Sequence, residues 1–245
     1  MTRRVQRRSL AVMGTIVNVD VVVEPDDAAI ESRADLASDR ALAHFLDVES
    51  ACSRFDERSE LRRLCAAAGE PVPVSPLLFE TLAFAIAVAE ASGGAFDPTV
   101  GRAMAARGFN REHRTGTIAT VDADVASDIS FRDVVLDAGT RAITLRRPLL
   151  LDLGAVAKGL AIDLAARELR RDFEDFAIDA GGDVYAAGRN GSGEPWSIGI
   201  RHPRLADSVA DVVRVSNAAV CTSGDYERRS PIDGRSHIVD GRTRA

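Results

Sequence analysis

The sequence predicts an α+β fold, because strand-like and helix-like segments form separate groups along the chain. Helical patterns occur in a block between residues 26 and 109, and short strand patterns occur in neighbouring runs between residues 133 and 240. A regular βαβ winding would instead alternate single strands with single helices. At 245 residues and 46% apolar composition, the chain is long enough to bury a substantial core. It has no internal repeat.

The first predicted elements are a strand region and a long helix. Residues 8–24 are expected to form a strand or a hairpin arm, because TIVNVDVVV alternates apolar and polar positions. Residues 26–51 are expected to be helical, since Pro25 and Asp26 stand where helices commonly start. Apolar residues recur there at helical spacing, namely Leu36, Leu42, Phe45, Leu46 and Val48. The stretch SRFDERSEL that follows has the composition of a turn plus a helix cap.

Two further helices are predicted before residue 110. Residues 75–94 have Ser75 as a favourable N-cap, Pro76 at the first helical position and two closing glycines. Residues 97–109 are expected to form a short helix, with Asp97 as its N-cap and a proline after it. Residues 110–130 are polar, and we expect a mobile loop there.

The later part of the chain contains most of the predicted strands. Residues 133–154 are typical of a strand, a turn and a second strand that lead into a glycine motif, and residues 155–171 carry the apolar face of a helix. Short strands separated by Gly, Asn and Pro turns are expected at 176–188, 196–200, 210–223 and 236–240.

Bulk properties limit the class of protein. The net charge of -6 and the pI near 5.3 argue against a general nucleic-acid surface. The N-terminus begins with basic residues, but polar residues interrupt its apolar part and no cleavage motif follows, so we expect no signal peptide. No apolar run reaches the length of a membrane span. The three cysteines are an odd and sparse set, which fits a reducing compartment. These observations together favour a cytoplasmic protein.

Lys158 is the single lysine among 31 lysine and arginine residues, and it lies in the motif LDLGAVAKG. There a strand pattern ends, small residues turn the chain and a helix begins. A helix start offers free backbone N–H groups. Together with the compact ammonium of Lys158, these groups could bind a pyrophosphate. The P-loop spacing is absent. The alternative is a plain strand-to-helix connection in which Gly154 allows tight packing.

Other glycine-containing motifs are also candidates for a ligand site. In GGAFDPT, Phe96 could cover an aromatic ring and Asp97 could accept from a heterocyclic N–H, or the stretch could simply cap two helices. AGGD at 180–183 and TSGDY at 222–226 are turns at strand ends. His237 in HIVD could act as a base near neutral pH or be structural.

Taken together and in order, these motifs closely resemble the ApbE family of FAD:protein FMN transferases. The series is MGT, SRFDxxSEL, GGAFDPTVG, LDLGAVAKG, AGGD, TSGDY and HIVD, and the resemblance runs from Met13 to the end of the chain. It implies an α+β fold with a large, mostly antiparallel sheet flanked by helices, in one domain over residues 1–245. It implies an Mg²⁺-dependent enzyme that cleaves FAD, attaches FMN through a phosphoester to a Thr or Ser of a target flavoprotein and releases AMP.

The resemblance also assigns candidate site residues. His237 occupies the position of the family's candidate general base, and the carbonyl of Ala155 that of a metal ligand. The positions that match FAD contacts are Met13, Phe55, Ala95, Phe96, Asp97, Asp152, Lys158 and Ile238. In this interpretation, Lys158 places its ammonium beside the FAD diphosphate.

The sequence departs from the family at its C-terminal end. The family usually reads HIIDPRTG where this chain reads HIVDGRTR, so that Gly241 replaces a proline. The family then continues into a segment whose Asp and Thr ligate the metal, and this sequence ends before it. Two alternatives therefore stay open: a non-catalytic FAD-binding protein, and an FAD pyrophosphatase that uses water as the nucleophile.

Overall fold

The computed structural model describes residues 3–111, 116, 118, 128–205, 207–225 and 228–244. The chain divides into two compact units. The first unit comprises residues 1–47 and 158–226, and the second comprises residues 48–157 and 227–245. The expectation of a single domain over residues 1–245 stays a prediction.

The described elements follow one another along the chain as a mixture of strands and helices. In chain order they are β1 (Arg4–Val12), β2 (Thr15–Val23), α1 (Ala28–Cys52), α2 (Glu60–Ala66), β3 (Pro71–Pro73), α3 (Pro76–Ala91), α4 (Gly101–Ala106), a 3₁₀ turn (Phe131–Asp133), β4 (Val134–Asp137), β5 (Ala142–Leu145), α5 (Gly154–Leu169), β6 (Phe176–Ala180), β7 (Asp183–Ala187), β8 (Trp196–Arg201), β9 (Val209–Val215) and β10 (Ala218–Val220).

The first unit contains a five-stranded sheet with the order β1-β2-β6-β7-β10, in which every pairing is antiparallel. The predicted α+β class with a large antiparallel sheet is therefore confirmed. Along β2, Val17, Val19 and Val21 are fully buried, while Asn18 and Asp20 between them are half-buried. This is the alternation that predicted a strand. Strands β8 and β9 form a separate antiparallel ribbon.

Helix α1 matches the predicted long helix, with an adjusted start. The side chain of Asp27 accepts hydrogen bonds from the backbone N–H groups of Ala29 and Ile30, so Asp27 rather than Asp26 caps the helix. Three of its predicted apolar positions are buried, namely Leu42, Phe45 and Val48. The other two, Leu36 and Leu46, are exposed.

The second unit contains a three-stranded antiparallel sheet, β3-β5-β4, together with helices α2, α3 and α4. Both predicted caps are present. Ser59 accepts from the N–H of Arg62 at the start of α2, and Ser75 accepts from Leu78 at the start of α3. The unit buries a leucine-rich core, which includes Leu61, Leu64, Leu78, Leu82, Leu145 and Leu151.

One predicted helix start and one predicted strand are wrong. The third helix begins at Gly101 rather than at Asp97, because the Asp97 side chain bonds to the turn before the helix. Residues 236–240 do not form a strand; Ser236 makes one isolated bridge with Arg229, and the Asp240 side chain turns the chain by accepting from Arg242. Most of the expected loop at 110–130 lies outside the described residues.

Candidate functional site

In the first unit, the MGT motif forms the two-residue turn between β1 and β2. Met13 and Gly14 both have positive φ, 53° and 71°. This is the backbone geometry of the turns that suit a twisted hairpin, and it is unfavourable for a residue with a side chain. A β-carbon at Gly181, where φ is +68°, would overlap the side chain of Thr15. The MGT and AGGD motifs are therefore packed against each other.

Lys158 lies in α5 and forms an ion pair with the AGGD motif. Its Nζ lies 2.8 Å from Oδ2 of Asp183, and both side chains are partly exposed. Partial desolvation raises the pKa of the neighbouring Cys221 thiol, and the charge of Asp183 raises it further. Because Asp183 already pairs with Lys158, a phosphate that approached Lys158 would compete with this carboxylate for the ammonium. Of the two groups, the ammonium attracts a phosphate and the carboxylate repels it.

In the second unit, Asp97 of the GGAFD motif is buried, and both oxygens of its carboxylate accept hydrogen bonds from neighbouring residues. Oδ1 accepts from the backbone N–H and the hydroxyl of Thr99, and Oδ2 accepts from the N–H of Phe131 at 3.0 Å. The Asp97 side chain therefore joins its own loop to the 3₁₀ turn. A ligand that used this carboxylate would compete with these donors, whereas Ala95 and Phe96 beside it are partly exposed.

Gly241 packs directly onto the GGAFD loop. Its N–H donates to the carbonyl oxygen of Ala95 at 2.9 Å. A β-carbon at this position would lie 2.5 Å from both the Cβ of Asp97 and the carbonyl oxygen of Gly94. A proline here would lack the N–H that donates to Ala95, and its ring would not fit against Asp97 and Gly94. The departure from the family sequence at this position therefore accompanies a close backbone contact between two motifs.

Asp152 lies at the start of α5, and both of its carboxylate oxygens have partners. Oδ1 accepts from the N–H of Gly154 at 2.8 Å, and Oδ2 lies 2.9 Å from Nε of Arg54. The Asp152 N–H donates to the carbonyl of Pro98 at 2.7 Å. The guanidinium of Arg54 stacks over the ring of Phe55, 4.2 Å from its centroid. These contacts bring together the loops that carry Phe55, Asp97 and Asp152.

Arg54 is the residue of this group that the sequence did not identify. Its side chain is 6% exposed, and burial lowers the pKa of its guanidinium despite the partly compensating charge of Asp152. The motif SRFD indicates only a turn and a cap. A buried ion pair across almost a hundred residues has no local sequence signal.

His237 lies in the C-terminal segment of the second unit. Its backbone N–H donates to the carbonyl of Arg228, and its ring Nδ1 lies 3.3 Å from the same oxygen. Because a carbonyl can only accept, this contact favours the tautomer with hydrogen on Nδ1 and leaves Nε2 as an acceptor. The ring of Phe109 meets the imidazole edge-on, with 6.4 Å between centroids. The neighbouring Ile238 is exposed.

The described part of the chain has no cluster of side-chain metal ligands. In the described ranges, no group of three or more His, Cys, Asp or Glu side chains is placed to hold a metal ion. Ala155, predicted to offer its carbonyl, is an exposed residue in the first turn of α5.

The predicted site residues are divided between the two units. Met13 and Lys158 belong to the first unit, and the second unit holds Phe55, Ala95, Phe96, Asp97, Asp152, Ala155, His237 and Ile238. In the TSGDY motif, Asp225 pairs with Arg204 at 3.3 Å, and Tyr226 lies outside the described residues. None of the helices in the described ranges has the length and apolar content that a membrane crossing requires.

Comparison with known proteins gives one consistent group. Residues 13–245 match the model of the ApbE family. The FAD:protein FMN transferase of Haemophilus influenzae is 28% identical, over 94% of this chain and 69% of that protein. The enzyme of the same name from Rhodobacter capsulatus is 35% identical, over 95% of this chain but only 44% of that protein.

Solved structures agree with the sequence comparison. The crystal structure of the ApbE protein from Thermotoga maritima superimposes with a TM-score of 0.82 at 28% identity, over 98% of this chain and 77% of that one. The likeness therefore extends over nearly all of this chain, while each of these relatives is longer than the part that it matches.

Proposed function

The chain belongs to the ApbE family, and from this membership we propose that it is an FAD:protein FMN transferase. Its proposed substrates are FAD and a target flavoprotein with an acceptor Thr or Ser, and its proposed location is the cytoplasm. The observation that carries the proposal is the convergence of three motifs in the second unit. Arg54 and Pro98 both contact Asp152, which joins the loops of three predicted FAD contacts.

In the proposed reaction, the acceptor hydroxyl oxygen attacks the phosphorus of the FMN half of FAD. The new P–O bond makes the phosphoester, and the bond between the two phosphates breaks to release AMP. His237 takes the hydroxyl proton on Nε2, which the contact between Nδ1 and Arg228 leaves free to accept. Positioning and charge neutralisation dominate such phosphoryl transfers, because little covalent help is needed from the protein.

Lys158 is the proposed cationic partner of the diphosphate. Its ammonium is held by Asp183 at 2.8 Å, so it is already oriented before a phosphate arrives. A charge-assisted hydrogen bond to a phosphate oxygen contributes about 1.5–3 kcal/mol. The flexible stem of Lys158 allows the ammonium to follow the phosphate as the bond breaks.

The proposal includes a requirement for Mg²⁺, with the Ala155 carbonyl as one ligand. This part rests on the family resemblance, because the described residues contain no group of three or more His, Cys, Asp or Glu side chains placed to hold a metal ion. When bound, Mg²⁺ would neutralise charge on the phosphate oxygens.

The test is an assay for AMP with the purified chain, FAD and either Mg²⁺ or EDTA. The acceptor is the apo form of a flavoprotein that holds FMN on a threonine, with its Thr→Val variant as the control. Metal-dependent AMP together with acid-stable flavin fluorescence on the acceptor, absent from the Thr→Val control, supports the transferase. AMP without protein-bound flavin would indicate the pyrophosphatase alternative. Bound FAD without AMP would indicate a non-catalytic flavin-binding protein.

A further inference from the structure

The guanidinium of Arg54 is buried, and it makes three contacts with residues of the second unit: an ion pair, a hydrogen bond and a stacking contact. Nε lies 2.9 Å from Asp152 Oδ2, Nη2 donates to the carbonyl oxygen of Phe109, and the plane stacks on Phe55. The remaining nitrogen, Nη1, is enclosed and has no hydrogen-bond partner among the residues that the structure describes. The side chain as a whole is 6% exposed.

An unpartnered nitrogen is unusual for a buried guanidinium, since burying a charged donor is unfavourable unless its hydrogens are bonded. Arg40 shows the ordinary arrangement in the first unit. It also binds two acceptors of the protein, Glu168 and Asp172, but it is 49% exposed, so that water can complete its donors. Arg54 is only 6% exposed, so bulk water does not complete its donors in the same way. Its Nη1 is therefore a buried donor that lacks a hydrogen-bond partner among the described residues.

The bonds of Arg54 also connect two predicted parts of the site. Through Asp152 it fixes a carboxylate whose other oxygen accepts from Gly154 at the start of α5. Through Phe109 it fixes the residue whose ring contacts the imidazole of His237. An arginine is suited to this role because its planar fork bonds in several fixed directions at once, whereas lysine offers one point charge.

We propose that Arg54 is a positioning residue for the flavin dinucleotide: Nε and Nη2 hold Asp152 and Phe109 in place, and Nη1 donates to an acceptor oxygen that arrives with FAD. This inference rests on the proposed function only for the identity of the ligand. The oxygen is a carbonyl or ribityl hydroxyl of the flavin half, or a phosphate or ribose oxygen of the AMP half. Both sources share the chemistry of a hydrogen-bond acceptor.

The test uses the full chain and measures binding separately from turnover. Calorimetric titration with FAD, riboflavin and AMP is carried out on the wild type and on the variants Arg54→Met, Arg54→Lys and, as the matched control, Arg40→Met. We expect Arg54→Met to weaken FAD binding by about ten- to a hundred-fold, the range for a lost charge-assisted hydrogen bond. Arg54→Lys should recover only part of that loss, and Arg40→Met should leave FAD binding unchanged.

The two smaller ligands identify the source of the oxygen. A parallel loss of riboflavin affinity assigns the acceptor to the flavin half, and a parallel loss of AMP affinity assigns it to the other half. A second readout, on the additional variant Arg54→Ala, separates positioning from folding. Added guanidinium ion at millimolar concentration should restore FAD binding to this variant by filling the space that the arginine side chain vacates. A general loss of structure would not be restored in this way.

Unchanged FAD affinity in Arg54→Met would overturn the inference and would assign Nη1 to an enclosed water. If Arg54→Met does not fold, Arg54→Lys decides, because full FAD affinity in that variant equally overturns the role of the fork. These outcomes are independent of the proposed catalysis. A wild-type chain that binds FAD without releasing AMP refutes the transferase but leaves the Arg54 test intact.

Discussion

Replacing Gly241 with alanine tests the close contact between the C-terminal segment and the GGAFD loop. The added β-carbon would lie 2.5 Å from the Cβ of Asp97 and from the carbonyl oxygen of Gly94, where ordinary contact needs 3.4–4 Å. The Gly94 oxygen belongs to the backbone and Asp97 is held by its own hydrogen bonds. Neither neighbour can move away freely, so the variant must shift the two segments apart by roughly 1 Å.

The expected loss follows from two contributions. Overpacking of this kind costs about 1–3 kcal/mol. Stretching the hydrogen bond from Gly241 to Ala95, now 2.9 Å, would add up to about 1 kcal/mol. For a chain of this length, each kcal/mol lowers the melting temperature by about 2–4 °C. We therefore expect Gly241→Ala to melt between about 2 and 16 °C below the wild type, and Gly241→Pro to melt lower still.

The assay is thermal unfolding followed by circular dichroism, with urea titration as a second measure of stability. The control is Gly159→Ala in α5, where a β-carbon would meet nothing within 4 Å. That substitution should stabilise the helix by about 0.5–1 kcal/mol, because alanine is the better helix former. If Gly241→Ala melts at the wild-type temperature while the control behaves as expected, the packing argument is wrong.

Three further substitutions test individual side chains. Lys158→Met should weaken FAD binding by about ten- to a hundred-fold and leave riboflavin binding nearly unchanged, since only FAD carries the diphosphate; equal losses in titrations of both ligands would remove that role. Its melting temperature should change little, because the partly exposed pair with Asp183 contributes at most about 1 kcal/mol. His237→Ala should retain FAD but lower the rate of transfer by about 10²–10⁴-fold in the AMP assay, and an unchanged rate would exclude it as the base. Hydrogen bonding to Arg242 lowers the pKa of Asp240 to about 2, so this contact stabilises the folded chain fully above about pH 4 and is lost as the pH falls through 2. Asp240→Asn should therefore have a lower urea midpoint than the wild type at pH 6, and this difference should shrink as the pH falls from 4 towards 2; a difference that stays constant over that range would contradict this.

Much of the fold could be predicted because it depends on local physics. The alternation in β2, the serine caps of α2 and α3, and the glycine turn between β6 and β7 are each encoded within a few residues. One wrong prediction, the start of α4, has a local cause of the same kind. Asp97 is a favourable N-cap by type, but in the structure its carboxylate bonds to Thr99 and Phe131 instead. The preference of Asp97 for backbone N–H donors was predicted correctly, but the donors that it binds were not.

By itself, the sequence determined the α+β class, the antiparallel hairpins and the order of motifs that carries the family resemblance. Only the tertiary structure decided which distant groups meet. It paired Lys158 with Asp183, joined Arg54 to Asp152 and set Gly241 against the GGAFD loop. Turns and caps arise from interactions within one or two turns of chain, and residue type and spacing report them. Ion pairs and close packing between remote segments depend on how the whole chain folds, and no periodicity in the sequence reports them.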